Sequence, residues 1–446
     1  MRVARCLESA LLGVAVAGAS VFAPSTVAAA GLSATDRAVA RFVDRGLPAA
    51  RALLVRSVEI NSGTMNLPGV RSVAALFAPE FTALGFDTTW IDGSAWGRAG
   101  HFVARRAARG AGAATARRVL LIGHLDTVFE RDSPFQRFEA LGDTAARGPG
   151  TIDMKGGDVI ILLALSALRD AGLLDRLTVE VFLCGDEENS GSPLALARRD
   201  LFAAADRADV ALGFEDGDGD PRHATVARRG ASGWTLRTSG RPAHSSQIFR
   251  EDIGRGAIYE MARILAAFHD SLSGETYLTV NPGAAVGGTT IGFDRETSRG
   301  TAFGKSNVIA ESTLVAGDLR TLSPEQLERA RATMRRIVAG SPPHVGAAIE
   351  FADGYPPLPP SEGNQRLLAL YDAASRDLGF GPVTATDPAR AGAADISFTA
   401  GRTPMALDAL GLKGDGGHTV NETADLRTLP VQAKRAAVLL ARLARR

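Results

Sequence analysis

An α/β fold with a mostly parallel central sheet is predicted by three observations. Strand-like apolar runs, "RVLLIGH", "LTVEVFLCG" and "ADVALGF", alternate with helix-like segments. Polar side chains gather at the ends of those runs, where parallel sheets build their sites. Between about residues 222 and 345 the pattern changes to one of antiparallel strands and two helices, and then the alternation resumes. A smaller α+β domain inserted into an α/β domain accounts for all three.

Taken in order, residues 1–30 carry Arg2 and Arg5, an apolar run from about Ala10 to Phe22, and the small residues "STVAAAG". That is the layout of a signal peptide cleaved near Ala30, which implies export to a periplasm or the medium. The run is too short for a spanning helix, which needs about 20 apolar residues. The first part of the catalytic domain is expected over 31–221. It opens with a helix over 34–60, on the spacing of Val39, Phe42, Val43, Ala50, Leu53 and Leu54. "INSGTMNLPGV" reads as a loop, "VRSVAALFAPEFTALGF" as a helix, and "DVIILLALSALRDAG" as a helix between two strands.

The inserted domain is expected over 222–345. "ATVARRGASGWTLRTSGRP" alternates as strands do, and a helix follows with Ile253, Ala257, Met261, Ile264, Leu265 and Phe268 on one face. "STLVAGDLRTL" reads as a strand. The helix after it begins at "SPEQ", with Ser323 as N-cap, Pro324 in the first turn and Gln326 at the capping-box position. "YPPLPPSEG" is a proline-rich connector into the second part of the catalytic domain, 346–446.

Composition excludes more than it identifies. Fifty Lys and Arg stand against 49 Asp and Glu, so neither a nucleic-acid surface nor a polybasic membrane patch is indicated. Of two cysteines, Cys6 lies in the leader and Cys184 on an apolar strand, so the processed chain has no internal disulfide. Function must therefore reside in a site.

The candidate site follows from strand ends. "RVLLIG" ends in His124, with Asp126 two residues on and on the same side of an extended chain. Asp153 sits in the glycine-rich "GPGTIDMKGGD"; Asp186, Glu187 and Glu188 follow "LTVEVFLC"; Glu215 follows "ADVALGF"; His418 lies in "GDGGHTVNE". Three adjacent acids need compensating charge. Two histidines and several carboxylates form a nitrogen/oxygen set suited to zinc, and one shared carboxylate makes it a two-metal set.

These segments, with "GRPAHSS" and "SNVIAESTLVAGDLR", resemble in order and spacing the dinuclear-zinc aminopeptidase/carboxypeptidase and aminoacylase family. The likeness is greatest to its glutamate carboxypeptidase (carboxypeptidase G type) branch. The resemblance implies a zinc-peptidase-like catalytic domain, an inserted lid or dimerisation domain, and two zinc ions for which cobalt or manganese can substitute. It implies Asp153 as the bridging ligand, Glu188 and His418 completing one ion's set, and His124 and Glu215 the other's. Asp126 would orient His124, Glu187 would act as general base, and His244 would stabilise the oxyanion, often from the second subunit of a dimer. Arg320 and Asn307 match residues that meet the substrate.

The implied function is a secreted amidohydrolase cleaving an amide or peptide bond beside a free carboxylate, acting on small peptides or N-acyl amino acids. Carboxypeptidase and aminoacylase activities share this chemistry and differ in pocket lining. A non-catalytic exported binding protein is the alternative from another class; the intact Glu187 and ligand set weigh against it.

Overall fold

The computed structural model describes residues 31–294 and 297–445; the expected leader, with its cleavage point near Ala30, lies outside the described residues. In the strand Arg117–His124, Val119 and Leu121 enter one apolar core while Leu120 and Ile122 enter another. A strand buried on both faces belongs in the middle of a helix-covered sheet. It pairs in parallel with Leu177–Cys184 on one side and with Val210–Gly213 on the other. In space the sheet runs Asp87–Asp92, Gly100–Arg106, Leu177–Cys184, Arg117–His124, Val210–Gly213, Ala406–Leu407. Gly100–Arg106 runs against the other strands, so the sheet is mostly parallel.

Helices Ala34–Val58, Gly156–Asp170 and Thr428–Leu443 cover one face through Val43, Leu54, Leu163 and Leu440. Helix Arg199–Arg207 and the turn Asp395–Thr399 cover the other through Leu201, Ile396 and Phe398. Two local readings change. The helix expected to begin near Val70 begins at Leu67, because Asn66 accepts the Gly69 N–H as N-cap and Pro68 fits the first turn. The edge strand Asp87–Asp92 and its neighbour Gly100–Arg106 were not anticipated; neither is one of the long apolar runs that mark the central strands.

The inserted domain is a four-stranded antiparallel sheet, ordered Thr279–Gly288, Ser312–Thr321, Gly230–Gly240, Val345–Ala352. Helices Gly256–Leu272 and Pro324–Ala339 back it, with Trp234, Leu236, Ile264, Phe268, Leu319 and Met334 in its core. Its bounds differ from the expected 222–345. Ala224 and Val226 lie in the catalytic core, and Val345–Ala352, beyond the expected end, pairs with Gly233 through Gly240. That edge strand is half exposed and so lacks the apolar run that marks a buried one. The chain enters and leaves the domain side by side: Arg228 and Leu358 exchange backbone hydrogen bonds of 2.9 and 3.0 Å, and Ala231 donates to the Tyr355 carbonyl at 2.9 Å.

Candidate metal centre

The parallel strands deliver their polar residues to one end of the sheet, as the sequence implied. His124 ends its strand, Glu187 and Glu188 follow Leu177–Cys184, and Glu215 follows Val210–Gly213. Asp153 lies in the tight turn Thr151–Lys155 that opens helix Gly156–Asp170; Gly150 before it takes a φ of 75°. A side chain there would strike Thr127, which together with the positive φ explains the glycine.

Asp153 faces both ways. Its Oδ1 is 2.9 Å from His124 Nε2, and its Oδ2 is 2.8 Å from His418 Nε2. His124 Nε2 also lies 3.6 Å from Glu215 Oε1, and His418 Nε2 lies 3.1 Å from Glu188 Oε2. The ligand atoms thus form two triplets, His124–Asp153–Glu215 and Asp153–Glu188–His418, each within 4.8 Å and sharing one carboxylate.

The candidate ligands His124, Glu188 and Asp153 are each held from behind. His124 Nδ1 lies 3.0 Å from the Asp126 carbonyl and 3.5 Å from Asp126 Oδ1. Donation from Nδ1–H to that carbonyl leaves Nε2 to face Asp153. The buried Asp126 carboxylate also braces the acid pair, accepting the backbone N–H groups of Glu187 and Glu188, each at 3.1 Å, and the Thr64 hydroxyl at 2.6 Å. The Asp153 turn is held by Glu422, fully buried, which accepts from Gly150 N at 3.0 Å, Ile152 N at 2.9 Å and the Thr151 hydroxyl at 3.2 Å.

Crowding shapes the electrostatics. Burial, and then the Asp153 charge, push Glu188 up to about 7. Burial and the nearby Asp395 raise Glu187 well above the usual carboxylate range. Against its own burial, hydrogen bonds from His124 and His418 hold Asp153 below its ordinary value, and bonds to Asp153 and Glu188 push His418 up to about 11. Such a cluster is short of positive charge.

Residues 120–443 match the model of peptidase family M20/M25/M40. The chain belongs to this family.

It is accordingly a metallopeptidase or amidohydrolase by class. Among M20 relatives, it is 25% identical over 401 residues to carboxypeptidase G2 of Pseudomonas sp. (strain RS-16), covering 88% of this chain and 89% of that one. Its fold superposes on the aminopeptidase PepT of Bacillus cereus with a TM-score of 0.69 at 18% identity, covering 89% and 99% of the two chains. The YXEP protein of Bacillus subtilis, a dinuclear metal-binding peptidase of the M20 family, gives 0.61 at 14% identity, covering 91% and 99%.

The residues fit the dinuclear metal expected of an M20 enzyme. Glu188 Oε1 is buried with no hydrogen-bond partner, a position a cation would satisfy. Each triplet joins one imidazole to two carboxylates, a donor set for borderline divalent ions.

Three predicted residues stand apart. His244 and Asn307 are neighbours on the inserted domain, where Ser245 N donates to the Asn307 carbonyl at 2.9 Å and His244 bridges to Val308. Both are exposed. Arg320 Nε donates to Asp318 Oδ2 at 2.8 Å. Among the described residues, no hydrogen bond or ion pair joins these three to the ligand cluster. His101 is fully buried, with Nε2 2.7 Å from the Ala197 carbonyl and Nδ1 accepting from Gly185 N, and so packs beneath the sheet end.

Sequence reasoning missed the support behind the acid triplet. Asp186 pairs with the buried Arg198 at 2.5 Å and accepts Gly191 N–H at 2.9 Å. Arg198 also reaches Asp395 at 3.0 Å. These partners lie up to about 200 residues apart, and nothing local marks them; the one available signal was an acid whose charge the ligand set left unexplained.

Proposed function

We propose that the protein is an exported two-zinc hydrolase that cleaves an amide or peptide bond beside a free carboxylate, with Glu187 moving the proton. The observation that carries this reading is the division of the Asp153 oxygens between two ligand triplets. The bound ions supply Lewis acidity toward the amide carbonyl and lower the pKa of a water toward neutrality. Glu187, whose burial raises its proton affinity, takes a proton from the attacking water and returns it to the leaving nitrogen. Asp126 fixes the backbone from which Glu187 and Glu188 project. His244 would donate to the developing oxyanion, while Arg320, released from Asp318, and Asn307 would meet the substrate carboxylate. The likeness to carboxypeptidase G2 supports a carboxypeptidase; export rests on the pattern of residues 1–30.

A homodimer through the inserted domain is part of this reading. Phe249, Ile258, Tyr259 and Phe303 are all exposed there, Phe249 at 66%, and the Phe249 and Tyr259 rings meet at a tilt with centres 5.5 Å apart. Exposed large apolar side chains within one small domain, two of them in contact, favour an association surface. Light scattering at micromolar concentration should return twice the chain mass; a monomer would count against the dimer.

The test of function is hydrolysis of a panel of folate-like glutamyl amides, dipeptides and N-acyl amino acids by wild type and Glu187→Gln. Cleavage by wild type, with a loss of ~10²–10⁴ in rate and full metal content in the variant, supports the assignment. The preferred class separates carboxypeptidase from aminoacylase. Metal binding without hydrolysis of any panel member contradicts the enzyme reading.

A further inference from the structure

The chain leaving the inserted domain touches the backbone of the acid pair. Tyr355, three residues past the last strand of that domain, donates its hydroxyl to the Glu187 carbonyl at 2.9 Å. The same oxygen accepts from Arg198 Nη2 at 2.9 Å and from the Ser190 hydroxyl at 3.3 Å. Arg198 is fully buried and cannot turn away, because Asp186 and Asp395 hold its other nitrogens and its Nη2 also reaches the Asp186 carbonyl at 3.0 Å. A hydroxyl that accepts from a guanidinium is polarised and donates more strongly. The tyrosine ring is fixed as well: it lies 4.9 Å from Phe398 and under the Arg198 guanidinium at 5.7 Å. Glu187 is thus held at both ends of its main chain, by Asp126 at the N–H and by Tyr355 at the carbonyl.

We propose that Tyr355 is a positioning residue for Glu187, tying the orientation of the inserted domain to the placement of the proton-moving carboxylate. Its hydroxyl acts on the peptide, not on the substrate. Its own carbonyl accepts from Ala231, at the start of the domain's first strand. A rotation of the inserted domain about its paired connectors is therefore felt at Glu187, and a domain set correctly against the sheet holds the carboxylate in reach of the water. This inference rests on the reading of Glu187 as the base.

Tyr355→Phe removes the hydroxyl and keeps the ring. On the panel substrate cleaved fastest by wild type, kcat should fall about tenfold, the scale of one lost hydrogen bond at a misplaced group. KM and metal content should be unchanged. In the full, metal-loaded chain, hydrogen exchange in peptides spanning 185–191 should quicken at least about threefold, while peptides within 230–240 keep their rates. Phe77→Leu removes ring packing in the apolar core that does not hold Tyr355; it should lower Tm and keep kcat within about twofold. An unchanged kcat in Tyr355→Phe, or unchanged exchange over 185–191, overturns the proposal. Retained hydrolysis in Glu187→Gln instead overturns the base assignment, and the exchange measurement still reads the positioning.

Discussion

Asp126 Oδ1 accepts the backbone N–H of Glu187 at 3.1 Å. With Oδ2 taking Glu188 N–H and the Thr64 hydroxyl, this one buried carboxylate orders the residue read as base and a residue read as ligand. Asp126→Asn places an amide N–H where a donor already points. We expect kcat to fall ~10- to 100-fold, the usual range for loss of a ligand's supporting partner, with metal affinity weakened in the same direction. Steady-state kinetics beside metal titration check this; wild-type kcat would assign Asp126 to packing alone.

Metal binding should release protons. Asp153 and Glu188 push His418 up to about 11, so the metal-free chain carries a proton on His418 at neutral pH. A cation must displace it. Apparent affinity therefore rises with pH below about 11, by at most tenfold per unit for this one group, and falls on acidification. Calorimetry of zinc binding in buffers of different ionisation enthalpy should show at least one proton released per chain.

Glu422 ties the Asp153 turn to the loop carrying His418. Glu422→Gln turns one acceptor into a donor facing backbone N–H groups. The variant should fold and yet bind metal ~10- to 100-fold more weakly. Isothermal titration of the metal-free protein reads this directly, and circular dichroism confirms folding.

An independent pH effect lies away from the site. Burial pushes Tyr371 up to about 12, and its hydroxyl lies 3.3 Å from Gln432 Oε1. The folded pKa lies above the unfolded value near 10, so the contribution is complete below pH 10 and lost as pH rises toward 12. At about 1.4 kcal/mol per unit, the loss is about 2–3 kcal/mol. Tyr371→Phe cannot ionise, so its denaturant stability should decline less steeply than wild type from pH 10 to 12 by that amount.

The site was legible where chemistry and local pattern coincide. "RVLLIG" announces a buried strand, so the histidine at its end was placed correctly, and glycines around Asp153 announced the turn that presents it. His124, Asp153 and Glu215 lie together, as do Asp153, Glu188 and His418, the grouping that the family resemblance implies. What stayed hidden is contact between distant segments: Tyr355 reading as part of a proline-rich connector, Arg198 as one basic residue among many, Glu422 as a loop acid. Their roles depend on pairing across about 160 to 270 residues, which periodicity does not encode. The bounds of the inserted domain failed for a related reason, since a half-exposed edge strand such as Val345–Ala352 is defined by its neighbour.

The central claim is that one carboxylate, Asp153, joins two metal sites. Metal content after dialysis, measured by plasma mass spectrometry on wild type and His418→Ala, tests it most directly. The account predicts about two ions per chain in wild type and about one in His418→Ala, since His124 and Glu215 still serve the other site. One ion or none in wild type would contradict it.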